Sequence, residues 1–492
     1  MNNSASKAPP RVSRLQWSLT ICIFALGGLA YLSPTYEDVR TTLVAIVLLN
    51  IFLTIILVVE TLRTKVIGKL LLTSATLAFY WLEAVQISSS SPPFLAPTEF
   101  QYSSPQFRLD IVRISVLYVA LFQLMLFAGY SIHPRLGSLV SFARSRYDRG
   151  GGRAFITKYL LGACIWVPLV ASFGFGVTPI FDNLVESRRG IGGTSVQGIG
   201  FLHYLTFFGL FGAAYLLTEG LLFPGKSRKL HFLLGALSAA PVVMLGGSRH
   251  LWLVVAMPIV VLGLARSAGR LTTAKLATWG ALVVVVLLVL NLQLAVRDKG
   301  WDKISDVRTA EILQGSSSGQ FTALLHAIYL VPDKHDYFLR PAEPYFIVHW
   351  IPRPVWHDKP VLPIYTYYNQ NYAKSGAFNV TPSLLGQYHM TWGALGIIAM
   401  GLWLGFLVYA ADRLLLNIDL SNHLAMGVAI GGLYAFVANS YRIYSPTYFT
   451  YFAFGVVGML LLTRGKLGAE KSVQSQSEKL SVRPSLKVQP HA

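Results

Sequence analysis

The stretch from Leu276 to Ala295 carries no charged residue. A run of about 20 uncharged, mostly apolar residues rises about 30 Å as an α-helix, the thickness of a bilayer's hydrocarbon core. Thr42 to Val59 is a second such run. In lipid every backbone polar group needs a partner within the chain, so runs of this kind must be helices. Composition agrees: 53% of the 492 residues are hydrophobic and only 13% are charged, where a soluble domain carries roughly a quarter charged.

Hydropathy sets about twelve spans, near residues 15–32, 42–62, 69–87, 109–131, 156–178, 200–222, 231–246, 251–265, 276–295, 392–411, 424–439 and 446–463. The fold class predicted is therefore all-α: a polytopic integral membrane protein of about 12 transmembrane helices. The first run has basic flanks but no small-residue cleavage site, and it is read as an uncleaved span. Cys22 and Cys164 fall inside apolar runs, which points to packing rather than to a disulfide framework or a zinc site. The net charge of +19 is spread over many loops rather than gathered on one face, which argues against a nucleic-acid partner.

Lysine and arginine placement gives the orientation. With the N-terminus in the cytoplasm, 25 of the 41 basic residues fall on inside segments, and the short outside loops are nearly bare. Both termini are thus expected inside. The transmembrane domain covers 1–463 and includes one large external loop, 296–391, whose 9 basic and 8 acidic residues nearly cancel. Within that loop Gln320 to Val331 reads as an amphipathic helix, and Pro344 to Ile351 reads as a second apolar segment. Thr381-Pro382 reads as an N-cap with proline at N1, opening a helix that runs on into the tenth span. The serine-rich tail, 464–492, is expected to be disordered in the cytoplasm.

Several chemistries lack their motifs. There is no His-Glu-x-x-His, Cys-x-x-Cys or Asp-x-Asp, and the phosphate-loop spacing at Gly220 to Ser227 and the Gly-x-Ser-x-Gly string at 315–319 lack the preceding strand that either motif's chemistry needs. No metal and no cofactor is expected, and a donor that is neither a nucleoside triphosphate nor a nucleotide sugar is implied. The glycines between 190 and 200 read as a flexible turn. Charges inside the spans are few. Glu83 is open to either a helix–helix hydrogen bond or a functional role, and Asp110 and Arg113 are placed to neutralise each other. The chain has no internal repeat, and it offers few of the half-helices and buried ionisable groups that a permease or flippase requires.

The informative residues lie where outer loops meet the membrane. Gly247-Ser248-Arg249-His250 is a short turn, Trp350 to Pro360 carries Arg353, Trp356, Asp358 and Lys359, and Asn439 to Pro446 carries Tyr441, Arg442 and Tyr444. Arginine is disfavoured in short outer turns. A guanidinium, however, matches phosphate oxygens in a two-pronged geometry at any physiological pH. Phosphate binding at Arg249, Arg353 and Arg442 is therefore weighed against snorkelling or carboxylate pairing. His349, His357, Asp358 and Glu343 are the nearby groups able to act as a general base, and His250 beside Arg249 is a further catalytic candidate. The many loop aromatics suit sugar rings and the membrane interface equally.

The sequence resembles the Wzy-type oligosaccharide repeat-unit (O-antigen) polymerase family. The residues that carry the likeness are the Gly-Ser-Arg turn at 247–249, Ile351-Pro352-Arg353 with Trp356 and Lys359-Pro360, and Thr381-Pro382-Ser383-Leu384-Leu385-Gly386 leading to Trp392-Gly393. The resemblance implies glycosyl transfer at the outer face of a bacterial plasma (inner) membrane. Its substrates would be glycans linked to undecaprenyl pyrophosphate, and a flippase and a chain-length regulator would be its partners. It implies a polymerising enzyme in surface polysaccharide biosynthesis, with Arg249, Arg353 and Arg442 on the pyrophosphate; Ser383, within the third of these motifs, is a candidate substrate contact. A ligase that passes the same donor to another acceptor shares the architecture and remains an alternative, as does a non-enzymatic permease or flippase.

Overall fold

The computed structural model describes residues 8–64, 66–88, 105–134, 136–148, 152–167, 170, 203–225, 227–244, 249–267, 319–340, 345, 351, 356, 358, 363–372, 382–442 and 446–465. These residues are mostly helical. Six helices are long and apolar enough to cross a membrane: Arg14–Leu32, Tyr36–Thr64, Gly68–Ser88, Gln106–Ser131, Leu205–Leu222 and Ala394–Asn417. Shorter apolar helices occupy Ile156–Trp166, Leu251–Arg266, Gln320–Leu330, Leu424–Ser440 and Phe449–Leu462. The expected span 276–295 and the glycine cluster near 190–200 lie outside the described residues.

Local sequence sets several of these boundaries. Ser13 opens the first helix through a capping box. Its hydroxyl accepts from the Gln16 N–H, and the Gln16 side chain accepts from the Ser13 N–H. The helix stops before Pro34, which cannot continue it. In the third span one π-helical turn, Leu77–Trp81, interrupts the α-helix. That turn directs Tyr80 and Trp81 into the core, where both are fully buried. Trp81 Nε1 donates to Gln123 Oε1 at 2.8 Å, and Gln123 Nε2 donates to Asn50 Oδ1 at 2.6 Å. A chain of polar partners thus ties three spans together where water cannot compete.

Close helix packing uses small residues. Gly401 and Gly405, four apart on the Ala394–Asn417 helix, face the Pro105–Ser131 helix. A Cβ on Gly405 would come within 2.1 Å of the Leu126 carbonyl oxygen. In lipid, where apolar burial alone does not join helices, such backbone-to-backbone packing is a main cohesive force.

The segments sort to two ends of the bundle. At one end Gly68 N donates to Asp412 Oδ1 and Lys69 Nζ to the Arg11 carbonyl. Arg144 bonds Asn417 there, and Arg413 bonds the Pro134 carbonyl. Arg146–Asp148 pairs antiparallel with Thr463–Gly465 at the same end. At the other end Phe107 packs on Tyr329, Phe338 N donates to Met390 O, and Tyr80 meets Leu385 and Tyr441. The segments assigned to the cytoplasmic side from charge and described here therefore share one end.

Four expectations are corrected. The small two-stranded ribbon takes in Arg464 and Gly465, which had been assigned to the tail; 466–492 lie outside the described residues. Gln320–Leu330 is a helix but not an amphipathic one, because all of its residues are buried between neighbouring helices. Its surroundings therefore override the polar face that the sequence suggested. The helix after Pro382 takes Ser383 as N-cap and ends at Gly393 instead of running on into the next span. Gly393 adopts φ 61°, ψ −139°, a backbone state that strongly favours glycine, so the chain breaks there and restarts at Ala394. Cys22, finally, is exposed on the surface of its helix rather than packed inside.

Candidate functional site

The end of the bundle opposite the ribbon gathers two of the segments singled out in the sequence. Tyr80, on the π turn, is their junction. Its hydroxyl donates to the Tyr441 carbonyl at 3.1 Å and accepts from the Leu385 N–H at 3.4 Å, and it also meets the Ser383 side chain. Tyr441 Oη in turn donates to the Leu72 carbonyl at 2.9 Å and lies 3.2 Å from Thr76 Oγ1. Ser383 Oγ caps its helix by accepting from the Gly386 N–H at 3.1 Å. Ser383 and Tyr441 are both fully buried. Their hydroxyls have intramolecular partners, so they hold the site's walls in register. Arg442, the next residue, is exposed. Its guanidinium has no partner among the described residues.

The short helices behind this junction are fixed by one carboxylate. Glu83 Oε2 accepts from the Phe321 N–H at 2.9 Å, and Oε1 accepts from the Thr322 N–H at 3.2 Å and from the Thr322 hydroxyl at 2.7 Å. A carboxylate at a helix N-terminus satisfies otherwise orphaned donors and opposes the helix dipole. Of the two roles open to Glu83, the structural one has the geometry. His389 completes the layer: its Nε2 lies 2.8 Å from the Val331 carbonyl, and the ring sits between Tyr118 and Tyr337.

Arg249 opens the helix Arg249–Ser267. That helix runs antiparallel to Leu424–Ser440, with Leu262 against Gly427 and Pro258 against Gly431. Carried outward along both helices, this register sets the backbone of Arg249 level with Ser440, two residues before Arg442. His250 follows Arg249 on the same first turn. The side chains of both lie outside the described residues, as do Arg353, His349, Glu343, Lys359 and Tyr444. Trp356 and Asp358 are exposed. The meeting of all three arginines thus has one part in view: two of their backbone segments, level at one end.

Two further arginines lie at this end, and Arg108 was passed over in the sequence. Arg113 bonds Asp110 at 2.7 Å, the expected pair. Yet its Nε, like that of Arg108, is buried with no partner among the described residues, and Tyr36 lies within electrostatic reach of both cations. The available signal was that Arg108 and Arg113 together outnumber the one acid between them.

Below the junction an apolar cavity lies between the His203–Leu222, Arg249–Ser267, Leu424–Ser440 and Pro446–Leu462 helices, lined by Phe207, Phe211, Pro258, Phe436 and Tyr451, with Asn439 beside them. Buried ionisable groups are more numerous than the sequence suggested. Each of the following has its own partners, however. Asp412 accepts from Tyr130, Tyr434 and the Gly68 N–H. Lys69 pairs with Glu60, and Lys158 pairs with Glu219 at 2.8 Å. Such pairing is how charges persist in a low-dielectric interior. Compared with known proteins, the chain matches no family model, no curated protein and no solved structure.

Proposed function

We propose that this chain is a metal-independent membrane glycosyltransferase that polymerises oligosaccharide repeat units linked to undecaprenyl pyrophosphate, at the outer face of a bacterial plasma membrane. The observation that carries the reading is the level placement of Arg249 and Ser440 on antiparallel helices, which brings two arginine-bearing outer segments to one end. The Tyr80 junction adds the 382–386 segment, one of those that carry the family resemblance. The exposed Arg442 at this end suits a phosphate.

In this reading an acceptor sugar hydroxyl attacks the anomeric carbon of the donor glycan. The new glycosidic C–O bond forms as the bond to pyrophosphate breaks, and the lipid pyrophosphate leaves. The hydroxyl proton passes to a base drawn from His250, His349, Glu343 or Asp358. Negative charge grows on the leaving group, and fixed guanidinium groups of Arg249, Arg353 and Arg442 stabilise it in place of a metal. Tyr444, Trp356 and Lys359 line the substrate path. About 12 crossings, an external 296–391 loop and cytoplasmic termini belong to the same proposal.

The test is the surface glycan of a deletion strain complemented with variants. The wild-type gene should restore long chains. Replacing Arg249, Arg353 or Arg442 by alanine, or by lysine, which keeps the charge but loses the fork, should slow polymerisation, by roughly 100- to 1000-fold for a lost transition-state donor. Full-length lipid-linked glycan that fails to reach its final acceptor would instead identify a ligase. Normal chains from all three alanine variants would remove the arginines from the site.

A further inference from the structure

A cavity of about 330 Å³ opens at the opposite, ribbon end of the bundle, between the start of the Arg14–Leu32 helix and the last turns of Tyr36–Thr64. Arg11 and Arg63 line it, with the hydroxyl-bearing Ser13 and Thr64 beside them and Ile56 and Val59 on one wall. Both arginines are exposed, and neither guanidinium has a partner among the described residues. Glu60 also lines the cavity, but its carboxylate is already engaged by the Lys69 ammonium and the Gln16 amide. With Lys69 included, the local balance is three cations against one anion.

Position distinguishes this pocket from an ordinary basic surface. The two helices that frame it have the least-buried apolar windows of the six long ones, 33% and 28% against 44% or more for the rest. The outward residues Phe52, Ile55 and Val59 of Tyr36–Thr64 and Leu15 and Ile21 of Arg14–Leu32 are exposed and apolar. The cavity therefore sits on the lipid-facing edge of the bundle, with a cationic mouth directly above an apolar helix face. That is the layout a lipid presents in reverse: a phosphate above hydrocarbon.

We propose that this cavity is a binding site for an anionic phospholipid, its headgroup phosphate held between Arg11 and Arg63 and one acyl chain against Ile56 and Val59. Guanidinium groups form paired hydrogen bonds with phosphate oxygens, and the Ser13 hydroxyl, which only accepts within the chain, supplies a further donor. The collection of basic segments at this end suits a leaflet rich in anionic lipids, where juxtamembrane arginines contribute most. The site is independent of the glycan chemistry proposed for the other end.

Native mass spectrometry of the full chain in detergent, titrated with phosphatidylglycerol or with phosphatidylcholine of the same acyl chains, tests it. The wild type should bind its first phosphatidylglycerol more tightly than phosphatidylcholine. Affinity should fall about fivefold in Arg11→Gln or Arg63→Gln and roughly 25-fold in the double variant, the effect expected per basic residue near a membrane surface. Arg14→Gln, at the start of a framing helix but outside the cavity, should change nothing, and Arg11→Lys with Arg63→Lys should keep most of the preference. Equal binding by wild type and double variant would overturn the site, as would an equal loss in Arg14→Gln. Displacement of the lipid by millimolar inorganic phosphate, with phosphate stabilising the lipid-free wild type but not the double variant, would assign the site to free phosphate and overturn the lipid.

Discussion

The phenol of Tyr80 reaches 3.1 Å to the backbone carbonyl of Tyr441, a residue 361 positions away, while its oxygen receives the Leu385 N–H. One hydroxyl thus joins the π turn, the chain just after the Leu424–Ser440 helix and the Leu384–Trp392 helix. Tyr80→Phe leaves a buried carbonyl and a buried N–H unpaired, at a cost of about 1–3 kcal/mol. A lowered thermal midpoint in detergent, with expression and insertion intact, is the expected result. An unchanged midpoint would show that the junction contributes nothing.

Gly393 separates a nine-residue helix from a long span by adopting φ 61°, ψ −139°, and a Cβ there would meet the Tyr337 hydroxyl at 3.1 Å. Gly393→Ala should destabilise the protein by about 1–3 kcal/mol through backbone strain. Limited proteolysis should then cut near 384–392 faster than in the wild type. Gly432→Ala, where no atom lies within 4 Å of the added carbon, serves as the silent control.

Asp148, in the ribbon, is held by the Tyr215 hydroxyl and the Ala425 N–H, and burial pushes its carboxyl up from 3.8 to about 6. The folded state therefore binds a proton more readily than the unfolded chain. The penalty for ionising Asp148 is absent below about pH 4, grows as pH rises to about 6, and is constant above that. Thermal stability should fall across this window in the wild type. Asp148→Asn should remove that slope while leaving any slope due to other groups.

The shared end of Arg11, Arg144, Arg413 and Arg464 is expected to face the cytoplasm. A reporter fused after Asn417 should read cytoplasmic, and one at Gly376 external. Opposite readings at both positions would invert the protein and with it the proposed site.

Apolar runs free of charge determined by themselves that the described chain would be a bundle of membrane-length helices, because lipid leaves the backbone no other way to satisfy its polar groups. Capping at Ser13 and the stop before Pro34 were equally local, set by residues within a few positions of each other. The tertiary structure alone decided which polar residues belong together. Gly393 breaks its helix where the sequence suggested continuity. Gln320–Leu330 is buried on all sides because its partners come from distant segments. Glu83 caps a helix 238 residues away, an assignment no sequence window contains. Arg249 and Ser440 become level only through the register of two antiparallel helices, with Pro258 against Gly431. Periodicity reports how a segment meets its surroundings on average. Register, capping between segments and the pairing of buried charges depend on where the other segments lie, and only the folded bundle fixes that.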